Sequence, residues 1–456
     1  MDPRTRALVE APIAPTLLRL AVPNVLMTLV QASTGLIETY FIGKLGTDAL
    51  AGVALVFPGV MLMQMMSAGA MGGGVSSAVA RALGSGRRDD ANAIVLHALV
   101  IASGLAGFFM LAMLAGGPWL YAVLGGRGPS HAAALVYSNI VFSGVILIWL
   151  FNTLANVIRG TGNTLVPAVV TIAGAALLVP LSAGLIFGFG PLPRLGVAGG
   201  ATALLIYYGL GALAFAFYLW SDRSVVRPKL LETTLQWRLF RDILRVGIIA
   251  SLTALMTNVT IALTTGVVGV FGPAAIAGYG VGTRLEYLLI PLTFGFGGPL
   301  VALVGTNLGA GQPERAVRVA WIGGWICFAL TETIGVAAAL YPEAWLTLFD
   351  RDPAMIAAGS AYLRVVGPFY GFFGLGMALY FASQGAGAMT WPLLAGVVRM
   401  AIAVGGGLLL LRASASLTLV FAALGMALLI FGLIIAGAVA GGAWFGGRND
   451  KRTGSG

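Results

Sequence analysis

Residues 44–58 read KLGTDALAGVALVFP, and residues 270–284 read VFGPAAIAGYGVGTR. The likeness recurs twice further on. ARALGSGRRDDA at 80–91 pairs with GTNLGAGQPERA at 305–316, and NVIRGTGNT at 156–164 pairs with ASQGAGAMT at 382–390. The offsets are 226, 225 and about 226. Three matches in one order mark two copies of one unit with almost no insertion between them.

Each copy is apolar throughout. The chain of 456 residues is 59% hydrophobic and 9% charged, with mean hydropathy +0.95. A soluble domain carries about a quarter charged residues, so a soluble globule is excluded. Runs long enough to cross a bilayer, roughly twenty residues each, recur at 13–42, 49–82, 92–123, 131–158, 164–189, 196–220, 240–270, 275–307, 316–341, 354–383, 392–411 and 416–445. They are too long and too uniformly apolar for the ten-residue alternating strands of a membrane barrel. The fold class is therefore an all-α polytopic membrane protein of about twelve spans, six per copy. An even number of spans gives both copies the same orientation, which predicts parallel lobes related by a pseudo-twofold axis along the membrane normal, with a central cavity between them. The N-terminal lobe is expected over 1–220 and the C-terminal lobe over 241–445. The polar stretch 221–240 reads as a cytoplasmic linker, and 446–456 as a cytoplasmic tail.

The net charge of +10 is unevenly spread. With the N-terminus inside, the inner segments hold Arg4, Arg6, Arg81, Arg87, Arg88, Arg159, Arg223, Arg227, Lys229, Arg238, Arg241, Arg245, Arg315, Arg318, Arg448, Lys451 and Arg452. The outer loops hold only Lys44, Arg127, Arg194, Arg351 and Arg412. This asymmetry is a topology signal, placing both termini in the cytoplasm of a multi-pass inner-membrane protein. It argues against nucleic acid as the partner. The single cysteine, Cys327, allows no internal disulfide and no thiolate metal site. His97 and His131 are too few for a metal centre, and His97 reads as a satisfied polar group near the inner end of its span. No phosphate-cradling G-x-x-x-x-G-K-[ST] occurs, so no site for ATP is expected. The glycine-rich AGAMGGGVSS at 68–77 reads as a place for close helix packing or bending.

Chemistry concentrates on the first span. Asn24, Thr28, Gln31, Thr34 and Glu38 are spaced 4, 3, 3 and 4, one face of a helix. A lipid-facing stripe is not polar, so this one faces the bundle interior or a water-filled cavity. Interhelical hydrogen bonding explains Thr and Gln equally well, but it does not need an ionisable group, and Glu38 therefore reads as functional. In the second copy Thr253, Thr257, Thr260 and Thr264 form the matching stripe, beside Asn258, without a charge. The remaining intramembrane charges recognised are Arg284, Glu286, Glu332 and Arg364. Arg284 with Glu332, or Arg364 with either acid, is expected as a buried structural pair, while Glu286 is also a cavity candidate. The Met-rich MLMQMMSAGAM at 61–71, with Met61 and Met65, suits a variable ligand. The aromatic GPFYGFFGLGMALYF at 367–381, with Tyr370 and Phe373, suits planar or cationic guests. Ordinary core or lipid-facing packing accounts for both stretches as well.

Together, ETYFIGKLGTDALAGVAL, NLGAGQPERA, VIRGTGNT and LIFGFGPLPRLGVAGGA (185–201) resemble segments of the multidrug and toxic compound extrusion (MATE) family over nearly the whole chain, closest to its DinF-like bacterial branch. The resemblance implies an inner-membrane antiporter exporting organic compounds against inward H⁺ or Na⁺. It places Glu38 on the family's first-helix acid, with Gln31 and Thr34 beside it, and Pro23 on a proline at which some members bend that helix; a missing backbone donor makes such a hinge physically plausible. Ala175, Leu178 and Ser182 stand where the DinF-like branch has Asn, Asn and Asp, and the seventh and tenth spans lack the acids of another branch. The expected protein is a monomeric exporter of amphipathic, cationic organic molecules. It has no cofactor or metal beyond the coupling ion, H⁺ favoured over Na⁺, and the lipid bilayer as its surroundings. A flippase for lipid-linked precursors would want a basic cavity, for which only Arg284 and Arg364 offer a basis. An intramembrane enzyme would need a cluster of His or acids at one depth, and none is visible.

Overall fold

A computed structural model describes residues 2–229 and 232–445, with Tyr287 and Leu288 by their backbone alone. The expected tail 446–456, with Arg448, Lys451 and Arg452, lies outside the described residues. Regular structure among the described residues is entirely helical. Among the described residues eleven helices are long and apolar enough to cross a membrane, and a pair bent by 50° makes the twelfth. They are α1 (Ile13–Gly43), α2 (Thr47–Gly84), α3 (Arg88–Val123), α4 (Gly128–Ser143 and Val145–Gly160), α5 (Leu165–Phe187), α6 (Val197–Leu219), α7 (Trp237–Gly269), α8 (Pro273–Gly309), α9 (Pro313–Leu340), α10 (Pro353–Ala386), α11 (Thr390–Arg412) and α12 (Leu417–Ala440). Two boundaries differ from the sequence reading. The linker ends earlier, because Trp237 already opens α7. The last span stops at Ala440 rather than 445, where Gly442 turns the chain at φ 73°.

The repeat is written in the turns. Gly46 and Gly272 have φ 119° and 101°, Gly86 and Gly311 have 75° and 73°, and Gly162 and Gly387 have 78° and 73°. A left-handed backbone favours glycine, so each equivalent pair ends or joins helices in the same way. The last pair sets the third offset at 225, which aligns Arg159 with Gln384.

Packing follows the same symmetry. A Cβ on Gly52 would press on Ser130 O at 2.7 Å and Ala134 N at 2.8 Å in α4. One on Gly278 would press on Met355 O at 2.5 Å and Gly359 N at 2.6 Å, the same contact in α10. Where α2 crosses α8, Gly84 has no room beside Thr306, and Gly309 has none beside Arg81. With an offset of 225 these contacts are reciprocal, the mark of a twofold relation. Ala80 and Gly305, also 225 apart, meet on the axis itself. The inner half of α1 crosses onto α8, and α7 crosses onto α2, so each lobe lends its first helix to the boundary.

Backbone irregularities also fall at equivalent depths, by different means. In α2 the segment Met65–Met71 is π-helical, and α8 carries Pro291 at the equivalent depth. In α11 the segment Ala401–Gly406 is π-helical, and α5 carries Pro180 there. The outer surface is ringed by exposed apolar side chains such as Phe217, Leu213, Leu111 and Phe108, the belt a bilayer covers.

Candidate functional site

The two lobes are tied together over the half of the molecule that carries the chain termini. Ser77 Oγ donates to the carbonyls of Gln384 and Gly385 at 2.6 and 3.0 Å. Arg81 donates to Gly385 O at 3.0 Å and pairs with Asp242 at 2.8 Å. Asn307 donates to Leu8 O at 3.1 Å, and Arg315 donates to Ala11 O. At the surface Arg238 pairs with Asp90 at 2.7 Å, and the Gln236 N–H donates to His97 Nε2 at 2.8 Å. Towards mid-depth, Asn24 donates to Phe294 O and Gly295 O at 3.3 and 3.0 Å, and Thr28 to Pro291 O at 3.0 Å. Among the described residues no hydrogen bond joins the lobes between residues 29–64 and 259–290. The ties are confined to one side, and the opposite side is where the lobes separate.

Glu38 lies in that untied half, on α1. Its Oε1 is buried without a protein partner. Tyr137 on α4 and Tyr207 and Tyr208 on α6 are within electrostatic range of it. The Tyr207 hydroxyl lies in reach of Gln31 and Thr171. Beneath, Asn152 donates to Gln64 Oε1 at 3.0 Å and Ser67 Oγ at 2.9 Å, and Gln64 donates to the Tyr208 hydroxyl. The interior of the N-terminal lobe is thus one polar seam. The tyrosines were missed in the sequence because a Tyr pair in LLIYYGLG carries no periodic signal; Gln64, inside the Met-rich stretch, was the visible clue.

The other expected residues fall in different places. Gln31 is exposed, whereas Thr34 is buried with its hydroxyl donated to Val30 O at 2.8 Å. Thr253, Thr257, Thr260 and Thr264 each donate to the carbonyl four residues earlier, and all but Thr257 are buried. Their hydroxyls serve their own helix, an arrangement that bends it. Asn258 is exposed and reaches Met65 Sδ at 3.3 Å, while Met61 is exposed on α2. Two cavity candidates are corrected. Asn24 is part of the tie between lobes, and Tyr370 is fully buried inside the C-terminal lobe. Pro23 sits within an unbroken α1.

The expected ion pairs do not form. Arg284 is exposed and lies over the Phe349 ring, Arg364 is exposed, and Glu332 accepts the Gly371 N–H at 2.7 Å. Helical phase explains this, since neither arginine projects inward at the depth of an acid. The buried assembly of this lobe is instead Glu286, which accepts from Tyr362 and lies in range of Arg399. Arg399 is held between the rings of Phe373 and Phe431, 5.7 and 5.5 Å from their centroids. Arg399 was overlooked because it lies in an otherwise apolar run. No cluster of three or more metal-ligating side chains occurs among the described residues.

A family model described as MatE matches residues 23–183 and again 250–408, one match per lobe. The chain belongs to the MATE family. Members of this family are membrane transporters that carry small substrates, not enzymes. The chain is 29% identical over 385 residues to the FAD transporter of Shewanella oneidensis, covering 82% of each. It is 25% identical over 387 residues to the probable multidrug resistance protein NorM of Thermotoga maritima, covering 83% of this chain and 81% of that one. A solved structure described as the outward-facing conformation of a multidrug resistance MATE transporter of the MOP superfamily superposes with TM-score 0.87 at 22% identity. The match covers 97% of this chain and 99% of that one, a likeness of fold. This MATE protein is a multi-pass membrane transporter.

Proposed function

We propose that this MATE protein is a secondary antiporter of the inner membrane, with both termini in the cytoplasm. It acts as a monomer and exports amphipathic organic compounds in exchange for inward H⁺. The observation that carries this reading is the buried, unpartnered Glu38 oxygen in the lobe half that is not tied to its neighbour. Ties confined to the terminal face correspond to an outward-open state, in which Glu38 takes a proton from outside. Neutralising a carboxylate removes the reason for nearby dipoles to orient towards it, so α1 repacks around Pro23 and substrate leaves. Parting of the inner ties then lets the proton go to the cytoplasm, and substrate rebinds. A proton needs one carboxylate, whereas Na⁺ needs several oxygen ligands.

The test is transport in reconstituted vesicles with H⁺ and Na⁺ gradients imposed separately. The panel should include cationic dyes and FAD, for which the Shewanella relative is named. Efflux driven by the H⁺ gradient alone is expected. Efflux driven only by Na⁺ overturns the choice of ion, and none with either gradient overturns antiport.

A further inference from the structure

Arg159, near the inner end of α4, is a half-buried span arginine whose donors the protein leaves largely unspent. Its Nε is buried without a partner. Nη1 reaches Asn156 Oδ1 only at 3.4 Å, and Nη2 faces the Met27 sulfur at 3.2 Å, a weak acceptor. No carboxylate is within ion-pair distance among the described residues, and Tyr207 is the titratable group whose charge acts on it. Compare Arg81, which has Asp242 and two oxygen acceptors, and Arg399, which has two aromatic rings and Glu286 in range. A guanidinium out of water without acceptors is costly and is retained where something completes it.

The repeat shows that the fold does not need this charge. The equivalent of Arg159 in the C-terminal lobe is Gln384, which packs on Gly73 and donates to Gly69 O at 3.1 Å and Ala70 O at 3.5 Å. Facing Arg159, the equivalent glycine is Gly298 on α8 of the C-terminal lobe, whose added Cβ would meet Asn24 Nδ2 at 3.4 Å and Arg159 Cδ at 3.5 Å. The equivalent carbonyls, Phe294 O and Gly295 O, are already capped by Asn24. A neutral amide thus performs the lobe-joining task on both sides, and the Arg159 charge is surplus to it. Arg159 is also half-buried rather than sealed. Met27, which its Nη2 faces, is one turn of α1 below the exposed Gln31.

We propose that Arg159 is a binding residue for an anionic group, a carboxylate or phosphate, on the transported compound. The fork of a guanidinium matches either group in two parallel hydrogen bonds. Met27, whose sulfur faces Nη2, offers an apolar contact for the body attached to it. This rests on the transporter reading given above and adds the charge of one substrate class to it.

The test measures binding to the full-length protein in nanodiscs. The anionic probes are carboxyfluorescein and 4-methylumbelliferyl phosphate; neutral 4-methylumbelliferone and cationic rhodamine 6G are controls. Arg159→Gln installs the residue that the other lobe already tolerates, so folding is expected to survive, checked by an unchanged unfolding midpoint. The variant should bind at least one anionic probe roughly tenfold to a hundredfold more weakly, with both controls unchanged. Arg159→Lys should recover part of the loss. Which anionic probe responds identifies the group as carboxylate or phosphate. The proposal is overturned if the wild type binds rhodamine but neither anion, if all probes weaken together, or if no affinity changes. Rhodamine efflux from wild-type protein reconstituted separately in sealed vesicles tests the transport reading, so the two failures are distinguishable.

Discussion

Glu38 and Glu286 are both inward-facing acids, and their surroundings assign them different work. Glu286 is engaged by Tyr362 with Arg399 in range, a closed arrangement in which the charge is answered from within the protein. Removing it in Glu286→Ala leaves the buried Tyr362 hydroxyl without its acceptor, which costs about 1–3 kcal/mol; Glu286→Gln keeps the tyrosine bond and should cost less than half of that. Unfolding midpoints in detergent check the ranking. Glu38 has a buried oxygen that nothing in the protein answers. Glu38→Gln is a fixed mimic of the protonated acid and costs less in a membrane than a charge. It should fold, bind dye with near wild-type affinity, and lose H⁺-driven efflux. Dye binding and efflux measured in one vesicle preparation from pH 6 to 8 settle it; normal pumping by the variant removes Glu38 from the coupling role.

Among the helices, glycine placement separates contacts from spacers. Gly84 on α2 and Gly309 on α8 sit where a side chain would overlap the partner's backbone, and backbone cannot swing aside. Gly84→Val or Gly309→Val should destabilise by about 1–3 kcal/mol through overpacking, read as a lowered unfolding midpoint or loss of the monodisperse peak. Gly104, in the middle of α3, is exposed with nothing within 4 Å of a Cβ. Gly104→Ala should therefore stabilise by about 0.5–1 kcal/mol, because alanine gives up less freedom on entering a helix. Opposite signs at two helix glycines are a sharp check on the α2–α8 crossing. The paired irregularities, a π turn in one lobe and a proline in the other, place a weakened ladder at matching depths. Bending is then available in both lobes without sequence likeness at those positions.

For the whole molecule, alternating access requires the ties at the terminal face to be strong enough to hold and weak enough to part. Asp90 is the surface example. Its hydrogen bonds to Arg238, with Arg87 alongside, hold its carboxyl below the ordinary range, against a smaller opposite push from burial. The folded value is lowered, so the contribution is present above the unfolded value of about 3.9 and fades as pH falls through the folded one. Both arginines are more than half exposed, so the contribution is no more than about 1 kcal/mol. Asp90→Asn should lower the unfolding midpoint slightly at pH 7, and the difference from wild type should shrink and vanish as pH falls below the ordinary carboxylate range. A difference that persists there assigns the effect to packing rather than charge.

Twelve spans, two parallel lobes and the family were legible in the chain because they rest on local quantities: run length, the 225–226 offset and short turn motifs around left-handed glycines. The polar stripe of α1 was readable as a stripe, since helical periodicity needs no partner, but not what each of its members would face. What the sequence could not supply was which polar groups answer one another. Asn24 and Gln31 lie on one predicted face, yet one ties the lobes and the other is exposed, because the lobes meet over only part of the length of α1. Arg284, Glu332 and Arg364 looked like partners by scarcity alone, and helical phase kept them apart while bringing Arg399, unnoticed in its apolar run, near Glu286. The surplus charge of Arg159 became visible only when its equivalent, Gln384, was seen making the bonds that Asn24 makes on the other side. Pairing across a bundle depends on where helices cross, and crossing is fixed by the close approach of glycines such as Gly84 and Gly309, distant in sequence from every group they bring together.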